Sequence, residues 1–544
     1  MVTLLTVKDL SVEARDEDEQ KLIVNDISFT LKRGEVLGLI GESGAGKSTV
    51  GLAVMGYTRP GCQVVSGSIL FDGIDVLTAS EEVTRSLRGV HIAYVAQSAA
   101  ASFNPSHRLI HQFAEGPVQH GLMSFSEAQK RAIELYRRFL LPSPESIGRR
   151  FPHQVSGGQL QRAMVAMAMS CGPEIVIFDE PTTGLDVTTQ VEVLAAIKEV
   201  VKQQNMAAIY ISHDLALVVQ LADHIMVLRH GDLVEEGVPR ELIRAPQKEY
   251  TRQLLSVRSG RREKHQSEKG IHTILEVENL SASYTPGVNV LEDINLKVER
   301  GKTVAVVGES GSGKTSLARA ITGLLPPSKG RVLYGGKALP RLLKSRNRDS
   351  LRKLQMVYQM PDVSLNPKQK VRKILGRPLD FYFGLRGRER EDRIIELLEM
   401  VELSKKFIDR FPDELSGGEK QRVCIARTLA AKPDLIICDE VTSALDQLVG
   451  EEILKLLQRL QDELGVTYLF ITHDLATVKV ISDDIVVMLN GRIVEQGPRQ
   501  EVLAPPHHEY TELLLSSVPV MDPDWLDGVL KKRQSAQIPA FVTS

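Results

Sequence analysis

No stretch of the 544 residues approaches the roughly 20 consecutive apolar side chains a bilayer-spanning helix requires. The sequence therefore predicts a protein that neither crosses nor anchors itself in a membrane. Near the N-terminus, Arg15-Asp16-Glu17-Asp18-Glu19 stands where a secretory leader would carry its apolar run. Charge excess is lacking too: 67 basic residues against 69 acidic ones leave no overall field to attract nucleic acid or anionic lipid. Partners must then be found through specific surfaces. Cysteine is scarce. Cys62, Cys171, Cys424 and Cys438 show no C-x-x-C spacing and sit mostly among apolar neighbours, which predicts reduced, core-filling thiols in the cytosol and excludes a disulfide framework or a cysteine metal site.

What the chain does have is a loop, present twice. Gly41-Glu42-Ser43-Gly44-Ala45-Gly46-Lys47-Ser48-Thr49 recurs as Gly308-Glu309-Ser310-Gly311-Ser312-Gly313-Lys314-Thr315-Ser316. Both fit G-x-x-x-x-G-K-[ST], whose glycines turn backbone N–H groups toward a polyphosphate while the lysine neutralises charge and the hydroxyl ligates Mg²⁺. Val36-Leu37-Gly38-Leu39-Ile40 and Val304-Ala305-Val306-Val307 read as buried strands before the loops. The residues after each lysine read as a helix whose positive end faces the anion. One copy could be a chance glycine-rich turn; two in this context argue against chance.

The repeat divides a chain too long for one core. The first half opens with alternating stretches, Leu4-Leu5-Thr6-Val7 and Ile27-Ser28-Phe29-Thr30-Leu31, split by the acidic run as a solvated hairpin turn. Residues 103–150 change to helical spacing with charged faces and prolines at 142 and 144, an inserted helical lobe. Ile175-Val176-Ile177-Phe178 and Ala207-Ala208-Ile209-Tyr210-Ile211 return to buried strands, and strands alternating with helices predict a parallel α/β sheet. Residues 258–271 are polar and short of aliphatics, a linker, after which the plan restarts. The predicted units are 1–257, the linker 258–271, 272–515, and a tail 516–544 that has no counterpart in the first half and holds the only tryptophan, Trp525.

Each half ends an aliphatic strand in two carboxylates, Asp179-Glu180 and Asp439-Glu440. Phosphoryl transfer needs one carboxylate to hold Mg²⁺ and another to orient or deprotonate the attacking water. Alone such a pair is an ordinary strand end; paired twice with a phosphate loop it is a candidate site. His213 and His473 follow further strands at the same distance from Glu180 and Glu440, where a histidine could reach the terminal phosphate or the water. Gln97 and Gln359 follow Tyr94-Val95-Ala96 and Met356-Val357-Tyr358, and a glutamine can both ligate Mg²⁺ and donate to the water. Val155-Ser156-Gly157-Gly158-Gln159 matches Leu415-Ser416-Gly417-Gly418-Glu419. A serine and two glycines opening a helix form an anion seat, although the serine alone would serve as an N-cap. Two seats per domain suggest halves that close face to face, each seat touching the nucleotide held by the other.

In this order and twice over, these motifs resemble two nucleotide-binding domains of the ATP-binding cassette family fused in one chain, from about residue 4 to 515. The resemblance implies two P-loop NTPase domains of α/β class, each with a β-rich opening subdomain, a RecA-like core and an inserted helical subdomain. It implies that Lys47 and Lys314 contact phosphates and that Ser48 and Thr315 ligate Mg²⁺, with Asp179 and Asp439 holding the metal through water. Glu180 and Glu440 would be general bases, His213 and His473 γ-phosphate sensors, and Gln97 and Gln359 the link to the partner. Asp186 and Asp446 would lie in loops that meet across the paired domains.

Ser102-Phe103-Asn104-Pro105, Ser364-Leu365-Asn366-Pro367, and the closing segments that begin at Glu249-Tyr250-Thr251 and Glu509-Tyr510-Thr511 resemble the bacterial oligopeptide, dipeptide and nickel importer branch. That branch implies an ATPase on the cytoplasmic face of the cell membrane, beneath two permease subunits fed by a solute-binding protein. The cargo could be a peptide, a nickel chelate, glutathione or an opine-like conjugate. No cysteine lies between Tyr250 and Cys424, so no iron–sulfur cluster is expected. Two departures stand out: Tyr284 matches the family's adenine-stacking aromatic where the first half has Ala14, and Val441 replaces the first half's Pro181. A soluble tandem ATPase acting on ribosomes or DNA is the alternative, without the charged helical linker, nucleic-acid module or metal spacing expected of it.

Overall fold

The computed structural model describes residues 3–15, 20–256, 272–285, 287–443 and 445–535. The predicted linker 258–271, Asp16 to Glu19 of the acidic run, Ala444 and the last residues of the tail lie outside them. The chain forms two compact units, Met1–Ser256 together with Pro519–Ser544, and Val257–Val518.

Each unit has two sheets. In the first, the main sheet has the order Asp232–Gly237, His224–Arg229, Val36–Ile40, Ala207–Ser212, Ile175–Asp179, Ile92–Val95. Its strands pair in parallel except Asp232–Gly237, an antiparallel edge. Val36–Ile40, Ile175–Asp179 and Ala207–Ser212 are buried along their whole length, which is why they read as unbroken aliphatic runs. The second sheet is antiparallel, in the order Gln20–Lys32, Thr3–Arg15, Cys62–Phe71, Ile74–Asp75. Its first two strands run to 13 residues each, longer than the short alternating stretches suggest, because register shifts let them bend over the core.

The second unit repeats this plan. Its main sheet runs Leu354–Val357, Leu435–Asp439, Thr467–Ile471, Thr303–Val307, Asp484–Leu489, Arg492–Pro498, and Val288–Glu299, Thr273–Thr285, Pro327–Tyr334 and Lys337–Ala338 form its antiparallel partner. One core lies between the sheets, with Leu317 and Ile321 of the helix after the phosphate loop packed among the strands. Another joins the opposite face of the main sheet to the helices Gly417–Leu429 and Gln447–Leu464 and to the inserted lobe.

The helical lobe of the first unit contains Leu109–Gln119 and Phe125–Arg138. Ser124 and Glu127 start the latter with a reciprocal capping box, a feature that contributes about 1 kcal/mol. All four cysteines are free thiols, and burial pushes Cys171, Cys424 and Cys438 above the usual thiol range. Among the described residues no helix is long and apolar enough to cross a membrane.

Candidate ATP-hydrolysis sites

Each site forms where parallel strands end. Val36–Ile40 runs into the loop, and Gly41 turns at φ 152 so close to the neighbouring strand that a Cβ would lie 2.1 Å from the Leu228 carbonyl oxygen. Gly46 caps the helix Lys47–Val54 at φ 93, in the left-handed region that disfavours a side chain. Gly308 and Gly313 repeat both conformations. The positive end of the helix is thereby aimed into the loop. Lys47 Nζ donates to the Gly41 and Glu42 carbonyls at 2.8 Å each, and Lys314 Nζ to Gly308 and Glu309 at 2.8 and 2.7 Å.

The adjacent strand brings the carboxylates. Ser48 Oγ donates to Asp179 Oδ1 at 3.0 Å, and Thr315 Oγ1 to Asp439 Oδ1 at 3.1 Å. A hydroxyl and a carboxylate from distant parts of the sequence thus converge beside the loop. These hard oxygen donors fit Mg²⁺. Among the described residues no group of three or more His, Cys, Asp or Glu could hold a metal by itself, so substrate oxygens would have to complete the coordination.

Glu180 and Glu440 follow at φ 50, a conformation uncommon outside glycine and one that marks strained functional backbone. Three groups converge on Glu180. His213 Nδ1 lies 3.0 Å away, Thr183 Oγ1 donates at 3.0 Å, and Gln97 Nε2 donates at 2.9 Å. In the second unit His473 lies 3.4 Å from Glu440, and Gln359 Nε2 donates to it at 2.6 Å. Burial alone would raise Glu180. The hydrogen bond and charge of His213, then Thr183 and the charge of Lys47, outweigh burial and hold the carboxyl well below the usual range. Burial would likewise lower His213, but the hydrogen bond and charge of Glu180 raise it. Glu440 and His473 shift in the same senses. In both pairs each partner is therefore shifted toward its ionised form.

The two aspartates differ. Burial pushes Asp439 up to about 6, against the hydrogen bond from Thr315 and with the charge of Glu440 adding to it. Burial also raises Asp179, but hydrogen bonds from Tyr94 and Ser48 oppose it. Met356 occupies the position of Tyr94 in the second half and has no hydroxyl to donate.

Ser156 and Ser416 both accept from the N–H three residues on, and Gln159 and Glu419 answer with their side chains, so each serine is the N-cap of its helix. Asp186 and Asp446 cap the helices Val187–Gln203 and Gln447–Leu464. The Tyr284 ring is half exposed, with its hydroxyl 3.3 Å from Ser316 Oγ and accepting from Arg319, whereas Ala14 offers no ring. Val441 is buried in the core, and Glu440 beside it keeps the same φ as Glu180 beside Pro181.

Sequence reasoning missed three contributors, all tyrosines. Tyr250 Oη accepts the Glu42 N–H at 3.1 Å, and Tyr510 Oη the Glu309 N–H at 2.8 Å, so the closing Glu-Tyr-Thr segments brace the phosphate loops. Their recurrence at a matching place in both halves was the available signal. Tyr94 carried none, because its partner Asp179 is distant in sequence.

Two phosphate loops, each facing a hydroxyl–carboxylate pair and a strained glutamate held by histidine and glutamine, define a tandem P-loop ATPase. The sequence profile described as ABC transporter matches residues 24–183 and 291–443, and that of the oligopeptide/dipeptide transporter C-terminal region matches 494–540. The chain belongs to the ABC transporter family and is an ATP-hydrolysing subunit of its oligopeptide/dipeptide branch.

It is 36% identical over 526 residues to the peptidoglycan transport ATP-binding protein YejF of Agrobacterium fabrum, covering 94% of this chain and 96% of that one. It is 36% identical over 561 residues to the glutathione import ATP-binding protein GsiA of Escherichia coli O6:H1, covering 96% and 90%. A structure of archaeal ribosome recycling factor aABCE1 in complex with the ribosomal stalk protein aP1 matches with a TM-score of 0.61 over 91% of this chain and 90% of that one. At 20% identity it shares the fold, while the family matches favour the transporter over the ribosome-directed alternative.

Proposed function

We propose that this chain drives import of peptide-like solutes, docking peripherally on the cytoplasmic face of a bacterial cell membrane beneath two permease subunits supplied by a solute-binding protein. The observation that carries this reading is the oligopeptide/dipeptide C-terminal match together with relatives named for peptidoglycan transport and glutathione import. Peptidoglycan and glutathione both contain peptide bonds, which favours cargo of that chemistry over a nickel chelate. The working units are 1–257 and 272–515, joined by 258–271.

In each site the loop N–H groups and the lysine seat the ATP phosphates. Ser48 with Asp179 and Gln97, and Thr315 with Asp439 and Gln359, would hold Mg²⁺, which neutralises phosphate charge when bound. Glu180 and Glu440 take a proton from the attacking water. His213 and His473 hold each glutamate ionised and sense the terminal phosphate. Ser156-Gly157-Gly158 and Ser416-Gly417-Gly418 offer N–H groups to nucleotide phosphates.

The test is to solubilise the membrane in detergent and capture the tagged chain. Two integral-membrane subunits should co-purify, and the solute-binding protein encoded beside them should be stabilised by short peptides in thermal-shift screening. Recovery of ribosomes or DNA in place of membrane subunits would overturn the reading.

A further inference from the structure

The predicted tail does not stand apart. Its described residues, Pro519–Ser535, belong to the compact unit built by Met1–Ser256. Leu526 is fully buried and Val529 nearly so. The attachment centres on Gln220, whose side chain is 2% exposed. Its amide nitrogen donates to the Val520 and Asp522 carbonyls at 3.0 Å each and to Ala216 at 3.1 Å, while its oxygen accepts the Leu526 N–H at 3.1 Å. At the surface Lys198 meets Asp527 at 2.9 Å and Arg240 meets Asp524 at 2.6 Å.

Two of the gripped residues, Gln220 and Lys198, lie on or beside the elements that carry the first site's switch groups. Gln220 follows the short helix Leu215–Val218, which begins directly after His213 and Asp214. Lys198 is on the helix Val187–Gln203, which Asp186 caps. On that helix the charge of Arg533 also acts on Glu192, which faces Arg162 of the Ser156-capped helix at 4.0 Å. The second half is different. The offset that pairs Glu180 with Glu440 and His213 with His473 puts Val480, Gln458 and Gln500 at the places of Gln220, Lys198 and Arg240. Val480 has no side-chain hydrogen-bonding group, and neither Gln458 nor Gln500 carries the charge of the ion pair it replaces.

We propose that Pro519–Ser535 is a positioning clamp on the first ATP site. Through Gln220 and Lys198 it fixes the helix after His213 relative to the helix capped by Asp186, and it serves that site alone. The chain thereby makes its first site dependent on a segment that emerges from its second cassette. The inference rests on the roles given above to Glu180 and His213. The contacts that anchor the clamp, at Gln220, Lys198 and Arg240, lie outside the phosphate loop and away from Tyr250, so it governs turnover and not nucleotide affinity.

The test uses the full chain. Gln220→Leu removes the buried hydrogen bonds, and Asp524→Lys with Asp527→Lys reverses the surface pairs without touching the core. In both, turnover at the first site should fall roughly tenfold, as expected when reacting groups are slightly misplaced, which brings the kcat of the whole chain down to about half. KM for ATP should hold, and amide exchange should rise in 186–203 and 213–222 but not in 446–464 or 473–481. Adding Lys198→Asp and Arg240→Asp to the charge-reversed variant should restore kcat. Unchanged kcat and exchange in both variants would overturn the proposal. So would a fall without rescue in which KM rises in step, since that marks general destabilisation. Should Gln220→Leu fail to fold, the charge-reversal arm decides alone. If Glu180→Gln with Glu440→Gln leaves turnover intact, it is the underlying assignment of the bases that has failed, not the clamp.

Discussion

At the residue scale, chemistry is concentrated in two glutamates that the fold makes costly to keep. Each sits at φ 50 and is half-buried, and each is held ionised by a histidine. Glu180→Gln with Glu440→Gln preserves shape and hydrogen bonding to Gln97 and Gln359 while removing the base. ATP turnover should disappear and nucleotide binding should survive; substantial turnover in the double variant would refute the assignment.

The ion pair also sets a pH signature. His213 is raised in the fold, so its stabilisation is fully present below the ordinary imidazole range and is lost as pH rises through the raised value. Glu180 is lowered, so its stabilisation is present above the ordinary carboxylate range and is lost as pH falls through the lowered value. His213→Ala should therefore cost most at mildly acidic pH, about 1.5 to 3 kcal/mol for a charged hydrogen bond, and least at alkaline pH. Chemical denaturation of both proteins from acid to alkali measures the gap. A gap that widens toward alkali would contradict the pairing.

At the element scale, each site depends on segments that meet only in the fold. The loop between strand and helix is braced from behind by a tyrosine near the end of its half, whose hydroxyl accepts the Glu42 N–H. Tyr250→Phe leaves the ring packed but removes the acceptor, which should cost about 1 to 3 kcal/mol for a part-buried donor left unpaired. Tyr510→Phe should act likewise on the second loop, where the donor is fully buried. Melting in the absence and presence of ATP reports both. If neither variant changes stability or the ATP-induced shift, the hydroxyls are incidental.

At the scale of the whole molecule, two halves that share a plan are not equivalent. Tyr284 stands beside Ser316 of the second loop, and Ala14 offers the first loop no ring. Stacking of a base on an aromatic is worth about 1 to 3 kcal/mol, a difference of roughly five- to 150-fold in affinity. Lys47→Ala, which disables the first loop, should leave the tighter site. Lys314→Ala should leave the weaker one. Nucleotide titration of the two single variants decides, and equal residual affinities would remove the asymmetry.

Much of this was legible along the chain because it depends on local order. The glycines, lysine and hydroxyl of the loop are consecutive, the carboxylates are adjacent at a strand end, and the buried parallel strands must be aliphatic because both faces are covered. Repetition then turned weak signals into a strong one: the spacing of Glu180 to His213 means little until Glu440 and His473 repeat it. The sequence by itself therefore determined the fold class, the repeat and the inventory of reacting groups.

Tertiary structure decided what local order does not encode. It brought Tyr250 to Glu42, Tyr94 to Asp179 and Gln220 to Leu526, contacts between residues far apart in the chain whose partners no spacing specifies. It also returned a tail that had no counterpart in the first half to the first compact unit. The physical reason is the same in each case: a buried polar group must find a partner wherever the fold supplies one, and a sequence names the group long before it names the partner.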